Sequence, residues 1–349
     1  MVEAVISQAP EGSSEQPNRR LIFERTEASK GMISTMDRNA QLKRKATLVL
    51  IHPASSDINV EDGIPLLTQQ RLSVEDVSHL ITPENFELWR ENLSEKQRED
   101  LSKAKIALVH RFDSSGHVGA EEEASKGLAE KAAACLRLIR PTRSRNQTIQ
   151  LTFLDNSAVD VFRFTHPQDF PPSIPFFEVL NAIRSEDLLT LQRVLPRFLS
   201  LWEVGPQFVI WAIRYFISGH MEVNDPIAQL MMWVAGIEAV ISEGSPISQA
   251  DVQSRLRHHL GASWNIYEDT ALAEWFHTSI ELGEVLGDVF RLRNSFVHGG
   301  WVPEEWVGRV GRPAPSGSVE YADMLREAGA AILRKLVMNW LLSGAIKSR

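Results

Sequence analysis

Cysteine is almost missing: Cys135 stands alone among 349 residues, which excludes an intrachain disulfide and any multi-cysteine zinc site and fits a reducing compartment. Long apolar runs are missing too. The longest, near Phe208 to Ile217 and Leu336 to Leu342, fall short of the roughly 20 residues that cross a bilayer. Met1-Val2-Glu3 opens without the basic-then-apolar pattern of a secretory signal, so a cytoplasmic protein with no membrane partner is expected. There is no excess of positive charge. The net charge is −8, with 22 basic against 25 acidic residues in 1–173 and 15 against 20 in the remainder. Non-specific nucleic-acid affinity is mostly phosphate neutralisation, so any RNA contact has to be local, around Arg255, Arg257, His258, His259, Arg291 and Arg293. A Gly-rich phosphate loop, a nucleophile elbow and cysteine-based metal spacing are absent as well. No cofactor and no metal are expected.

The length suits about two domains. Residues 1–40 mix Ser, Glu, Gln, Pro and Asn with scattered charge, a composition that buries little surface and predicts a partly disordered segment. Residues 41–170 read as an α+β domain of unknown role. Ala46 to Ile51 is a short apolar β-branched run, and Lys105 to Phe112 a second strand. Thr82-Pro83 and Ser94-Glu95 open helices, and Glu121 to Ile139 is a helix with Leu128, Ala132, Cys135 and Leu136 along one side. Cys135 is a packed thiol there. Gln147 to Phe153 and Val159 to Phe164 alternate around Asp155-Asn156-Ser157, the pattern of a β-hairpin. Glu121, Glu122 and Glu123 are read as a first helical turn favoured by the dipole rather than a metal site. His110, His117 and His166 have no ligand spacing.

Pro167 to Pro175 holds four prolines and is the candidate linker. Residues 171–349 then read as all-α, with helices expected at Phe176 to Leu199, Gly205 to His220, Asp225 to Glu243, Ser248 to Leu260, Trp275 to His298 and Ser318 to Ser343. Asp225 caps the third and Pro226 sits in its first turn. Its apolar stripe is Ile227, Leu230, Met231, Val234, Ile237 and Ile241, and Glu238 falls inside it. A carboxylate on such a face has to be paired or protonated. Arg255 and Arg293 are the candidate partners, for a pair that either orients a site or is a structural salt bridge alone.

The penultimate helix carries the stretch Arg291-Leu-Arg-Asn-Ser-Phe-Val-His298-Gly-Gly. Leu282, Val285, Val289, Leu292 and Phe296 fill one stripe of about 80° at about 100° per residue. With Arg293 at zero, Val297, Asn294 and His298 fall at about 40°, 100° and 140°. Leu286 and Phe290 project into that polar arc, so this second face is expected to be covered by another helix or another subunit.

Arg293-Asn294, three residues and His298, closing a helix before Gly-Gly, resembles the Arg-x4-6-His motif of the HEPN superfamily. The Ile237 to Ile241 helix and the Arg255 to Leu260 helix are similar to its Apea-like branch, over roughly residues 175–345. The resemblance implies an all-α HEPN-like bundle after the α+β domain, and a metal-independent endoribonuclease. A 2′-hydroxyl would attack the adjacent phosphorus, leaving a 2′,3′-cyclic phosphate and a 5′-hydroxyl. The residue types fit: the dipole favours a cation at a helix C-terminus, suiting His298 to general-acid work or phosphate contact. Arg293 can grip phosphate oxygens through its planar fork, and Asn294 can hold either neighbour or the sugar. Glu238, Arg255 and Arg291 are expected to act behind them or on RNA. One histidine does not serve as both acid and base, so a homodimer through the 279–298 helix is expected, with Leu286, Phe290 and Val297 as its apolar seal. Arg214 to His220 is a secondary Arg-to-His pair. By family analogy the chain suits a bacterial stress or phage-defence effector; the alternative is a non-catalytic RNA-binding or dimerisation module.

Overall fold

The computed structural model describes residues 44–51, 54–60, 62–90, 93–113, 119–140, 148–154, 157–165, 182–221, 225–266, 279–299, 302–307, 309–314 and 317–343. The 1–40 segment, the prolines at 167–175, His117 and His166 lie outside these residues.

Arg44–Ile51 forms the central strand β1 of an antiparallel sheet. It is flanked by β2 (Ile64–Leu67), β3 (Leu72–Asp76), β4 (Ile106–Asp113), β5 (Thr148–Leu154) and β6 (Ser157–Thr165), in the order β2-β3-β4-β1-β5-β6. Because side chains alternate across a strand, β1 serves both faces. Leu48 and Leu50 join Val109, Ile149 and Leu151 under the short helices α1 (Val77–Leu80), α2 (Pro83–Arg90) and α3 (Glu95–Lys103). Val49 and Ile51, with Leu72, Val74 and Leu108, face the other way. Ser94 and Gln97 close the start of α3 reciprocally, each backbone N–H donating to the other's side chain, at 2.7 and 3.3 Å.

Over the second face lies α4 (Ala120–Ile139). Its first turn meets a polar row that crosses three strands in register, His110, Thr47 and Gln150. Ser125 bonds Thr47 Oγ1 at 2.7 Å and His110 Nδ1 at 2.8 Å, and Gln150 donates to the Glu122 carbonyl at 2.9 Å. Glu122 itself pairs with Lys45. Glu122 is thus committed to the sheet, and among the described residues no group of His, Cys, Asp and Glu could hold a metal ion. Burial lowers the affinity of His110 for a proton and pushes the Cys135 thiol far up, leaving it an inert packed group.

The remaining helices are α5 (Ser185–Val204), α6 (Gln207–Met221), α7 (Pro226–Ser242), α8 (Gln249–Leu260), α9 (Leu282–Val297) and α10 (Tyr321–Ser343). Asp225 accepts the Ile227 N–H at 2.8 Å with Pro226 in the first turn, the cap read from sequence. The helix expected from Ser318 begins at Tyr321, because β7 (Val310–Ala314) and β8 (Gly317–Glu320) pair as a hairpin ahead of it. A Cβ on Gly219 would sit 2.4 Å from the Trp233 indole nitrogen, and one on Gly236 2.7 Å from Leu333. The close approaches of α6 to α7 and of α7 to α10 therefore depend on hydrogen side chains.

The sequence divides near residue 170, yet sheet residues such as Val49 and Leu108 belong to the same apolar cluster as Phe198, Ile237, Phe290 and Leu336. Two buried arginines reinforce this junction. Arg140, after α4, forks onto Asp187 at 2.9 and 3.1 Å, while Arg334 of α10 donates to the last carbonyls of α4, Leu138 at 2.7 Å and Ile139 at 2.6 Å. The chain is α+β, with a six-stranded antiparallel sheet and many helices. No described helix is long and apolar enough to cross a membrane.

Candidate functional site

Three elements converge at the C-terminal end of α9. Its inward face carries Leu282, Val285, Leu286, Val289, Phe290 and Leu292, all buried. This corrects the expectation that Leu286 and Phe290 seal a subunit contact: both are fully buried in the chain's own core, packed with α7 and α10. Their positions on the wheel lie beside the main stripe, and helices on two sides widen the buried arc beyond a single stripe. Val297 alone of the three remains open, at 48% exposure.

The helix ends as a Gly-assisted stop. His298 caps it, its N–H donating to the Asn294 carbonyl at 3.1 Å, and Gly299 follows in the left-handed region at φ 73°. The His-Gly pair therefore has a backbone role independent of any chemistry. It also leaves the His298 side chain exposed, on the turn after Asn294.

Arg293 meets Glu238 of α7. Its Nη2 donates to both carboxylate oxygens, at 3.2 and 2.9 Å, and its Nη1 donates to Asn294 Oδ1 at 2.9 Å. Asn294 in turn donates through Nδ2 to Gln249 Oε1, the first residue of α8, at 2.8 Å. The four side chains form a chain of donors and acceptors across α7, α8 and α9. It fixes Asn294 as the link that orients the guanidinium, both ends of its amide being used within the protein. The Arg293 and Glu238 side chains are 26% and 31% exposed, so the cluster is at the surface and Glu238 is half-buried rather than interior. Burial lifts the Glu238 carboxyl above the ordinary glutamate range, outweighing the opposite pull of Arg293. Among the described residues the Arg293 hydrogen bonds use Nη2 and one Nη1–H, leaving Nε–H and the second Nη1–H without a partner.

The other two arginines go elsewhere. Arg255 donates to the Ile241 carbonyl at 3.2 Å, satisfying an end group of α7. Arg291 pairs with Glu305 and lies over the Trp306 ring, 5.0 Å from its centroid; Trp306 meets Tyr321 edge-on, and Tyr321 donates to Asp288 at 2.6 Å. Arg291 thus fastens the 302–307 segment to α9. Gln249 was invisible to motif reading: Ser248 announces a helix start, but no sequence signal aims that start at Asn294.

The chain matches no family model, no curated protein and no solved structure.

Chemically the cluster offers a guanidinium with two N–H donors unused among the described residues, a carboxylate of raised proton affinity and an exposed imidazole. Such groups can grip an anion and take part in proton transfer.

Proposed function

We propose that this chain is a metal-independent endoribonuclease of HEPN type that works as a homodimer in a bacterial stress or phage-defence setting. The observation that carries the reading is the orientation of Arg293 by Glu238 and Asn294 at the partly exposed end of α9, with His298 exposed on the following turn. A guanidinium held from behind meets a phosphate without having to be ordered during the reaction. In the proposed cycle the RNA 2′-oxygen attacks phosphorus, the P–O5′ bond breaks, and His298 of one copy delivers a proton to the departing 5′-oxygen. The histidine of the second copy takes the proton from the 2′-hydroxyl, and Arg293 offsets charge on the non-bridging oxygens. Exposed Val297, beside His298, is the apolar surface available to the second copy.

A non-catalytic RNA-binding or interaction module is the second reading. It is favoured by the fact that Glu238 already neutralises Arg293, which weakens the arginine's pull on a phosphate. Incubating the full chain with total RNA in EDTA separates the two. Cleavage by wild type that vanishes in Arg293→Ala and in His298→Ala supports the enzyme. Intact RNA with measurable affinity supports the module, and cleavage that needs a divalent metal contradicts the mechanism.

A further inference from the structure

A cavity of about 700 Å3 opens between the sheet side and the helices, and the Arg293 cluster takes no part in it. This volume lies within the roughly 300–1,000 Å3 typical of small-molecule sites. From α4 come Gly127 and Ala134, which leave room, together with Lys131; from α5 comes Trp202, and from α6 come Trp211, Arg214 and Tyr215. Trp211 is 46% exposed, an indole left open in a concave site rather than used in the core. The Arg214 guanidinium lies over both indoles, 5.1 Å from the Trp211 centroid and 5.7 Å from that of Trp202. Tyr215 leans on Trp211 at 6.1 Å.

The charges are equally informative. Glu130, the acidic member of the lining, is occupied: Lys126 lies 3.8 Å away and Thr148 donates to it at 3.3 Å. Neither Arg214 nor Lys131 has a carboxylate partner among the described residues. The cavity therefore combines a partly exposed indole with two cations that no described carboxylate neutralises, complementary to a ligand that is itself flat at one end and anionic at the other. Stacking on an indole selects a nucleobase without regard to its edge, and lysine and arginine hold phosphate.

We propose that this cavity binds a nucleoside monophosphate, its base against Trp211 and its phosphate between Lys131 and Arg214. The site is separate from the proposed ribonuclease centre and stands whether or not that centre cleaves RNA. Because its walls come from β1, β5 and α4 on one side and α5 to α7 on the other, an occupant also ties the sheet to the helices and raises the melting temperature by mass action.

Calorimetric titration of the full chain with AMP, GMP, CMP and UMP, and with adenosine and inorganic phosphate, tests this. Saturable binding of at least one monophosphate is expected, tighter than adenosine or phosphate alone. Trp211→Ala should weaken it about tenfold or more, whereas Trp211→Phe should retain most of it. Lys131→Gln should bring the monophosphate down to the nucleoside's affinity while leaving adenosine unchanged. Far-UV circular dichroism verifies that each variant is folded. No saturable binding of any of the monophosphates at millimolar concentration overturns the proposal, as does binding indifferent to Trp211→Ala and Lys131→Gln, or inorganic phosphate binding as tightly as the monophosphates.

Discussion

Glu238 on α7 receives both of its hydrogen bonds from one nitrogen of Arg293 on α9, at 3.2 and 2.9 Å, and so couples the two helices at the surface where the proposed chemistry takes place. The carboxylate does not fork with the guanidinium. It binds at Nη2, the corner that both two-donor edges of the guanidinium share, while Nη1 is held by Asn294.

That pair is open to a double-mutant cycle. With both side chains about a quarter to a third exposed, the coupling energy between Glu238→Ala and Arg293→Ala should be modest, about 0.5–1.5 kcal/mol in chemical denaturation. Strictly additive effects would mean that the two groups do not meet in solution.

The inward turn of the motif helix makes a different demand. Phe290→Ala should cost about 3–5 kcal/mol and Leu286→Ala about 2–5 kcal/mol, independent of protein concentration, because both side chains are fully buried in the chain's own core. Losses under 1 kcal/mol, or losses that shrink on dilution, would restore these residues to a subunit interface.

Arg140 and Asp187 form a buried fork that joins the end of α4 to the start of α5. Removing one partner strands a buried charge, so Arg140→Ala should destabilise by about 3–5 kcal/mol. Thermal unfolding followed by circular dichroism checks this. A variant as stable as the wild type would show that the fork contributes nothing to the junction.

Tyr321 supplies a pH signature. Burial first, then the hydrogen bond to Asp288 and its negative charge, raise the phenol from 10.0 to about 12. Below pH 10 the phenol is neutral folded and unfolded, and its full contribution is present. Between 10 and about 12 the unfolded chain ionises while the native phenol stays protonated, so stability falls as pH rises through this window. Ultraviolet difference absorbance should show a late-titrating tyrosine step that Tyr321→Phe removes. A titration unchanged by Tyr321→Phe above pH 10 would contradict the Asp288 contact.

How far these features were legible in the sequence depended on whether a local signal existed. Ala46 to Ile51 and Lys105 to Phe112 announced strands because apolar β-branched runs do so, and Asp225-Pro226 announced its helix start. Ile64–Leu67 and Leu72–Asp76 went unread: they are four and five residues long, interrupted by Pro65 and separated by polar Gln69-Gln70, and they become strands through pairing along β4. The helix expected from Ser318 overlaps the four-residue second strand of the hairpin before α10, which is a strand through pairing with Val310–Ala314. Glu238 was conspicuous as a charge among apolar residues, and Arg293 was one of its two foreseen partners. Which arginine it chose depended on the angle between α7 and α9, as did the diversion of Arg255 to the Ile241 carbonyl. Leu286 and Phe290 misled because a helical wheel reports a direction but not what lies there.

The central claim is that Arg293 and His298 direct a 2′-hydroxyl onto its own phosphate, and the ends of the product record it most directly. RNA treated with the full chain in EDTA should carry 2′,3′-cyclic phosphate and 5′-hydroxyl ends, with none formed by His298→Ala. Fragments bearing 5′-phosphate and 3′-hydroxyl ends, or equal cleavage by the His298→Ala protein, would contradict the account.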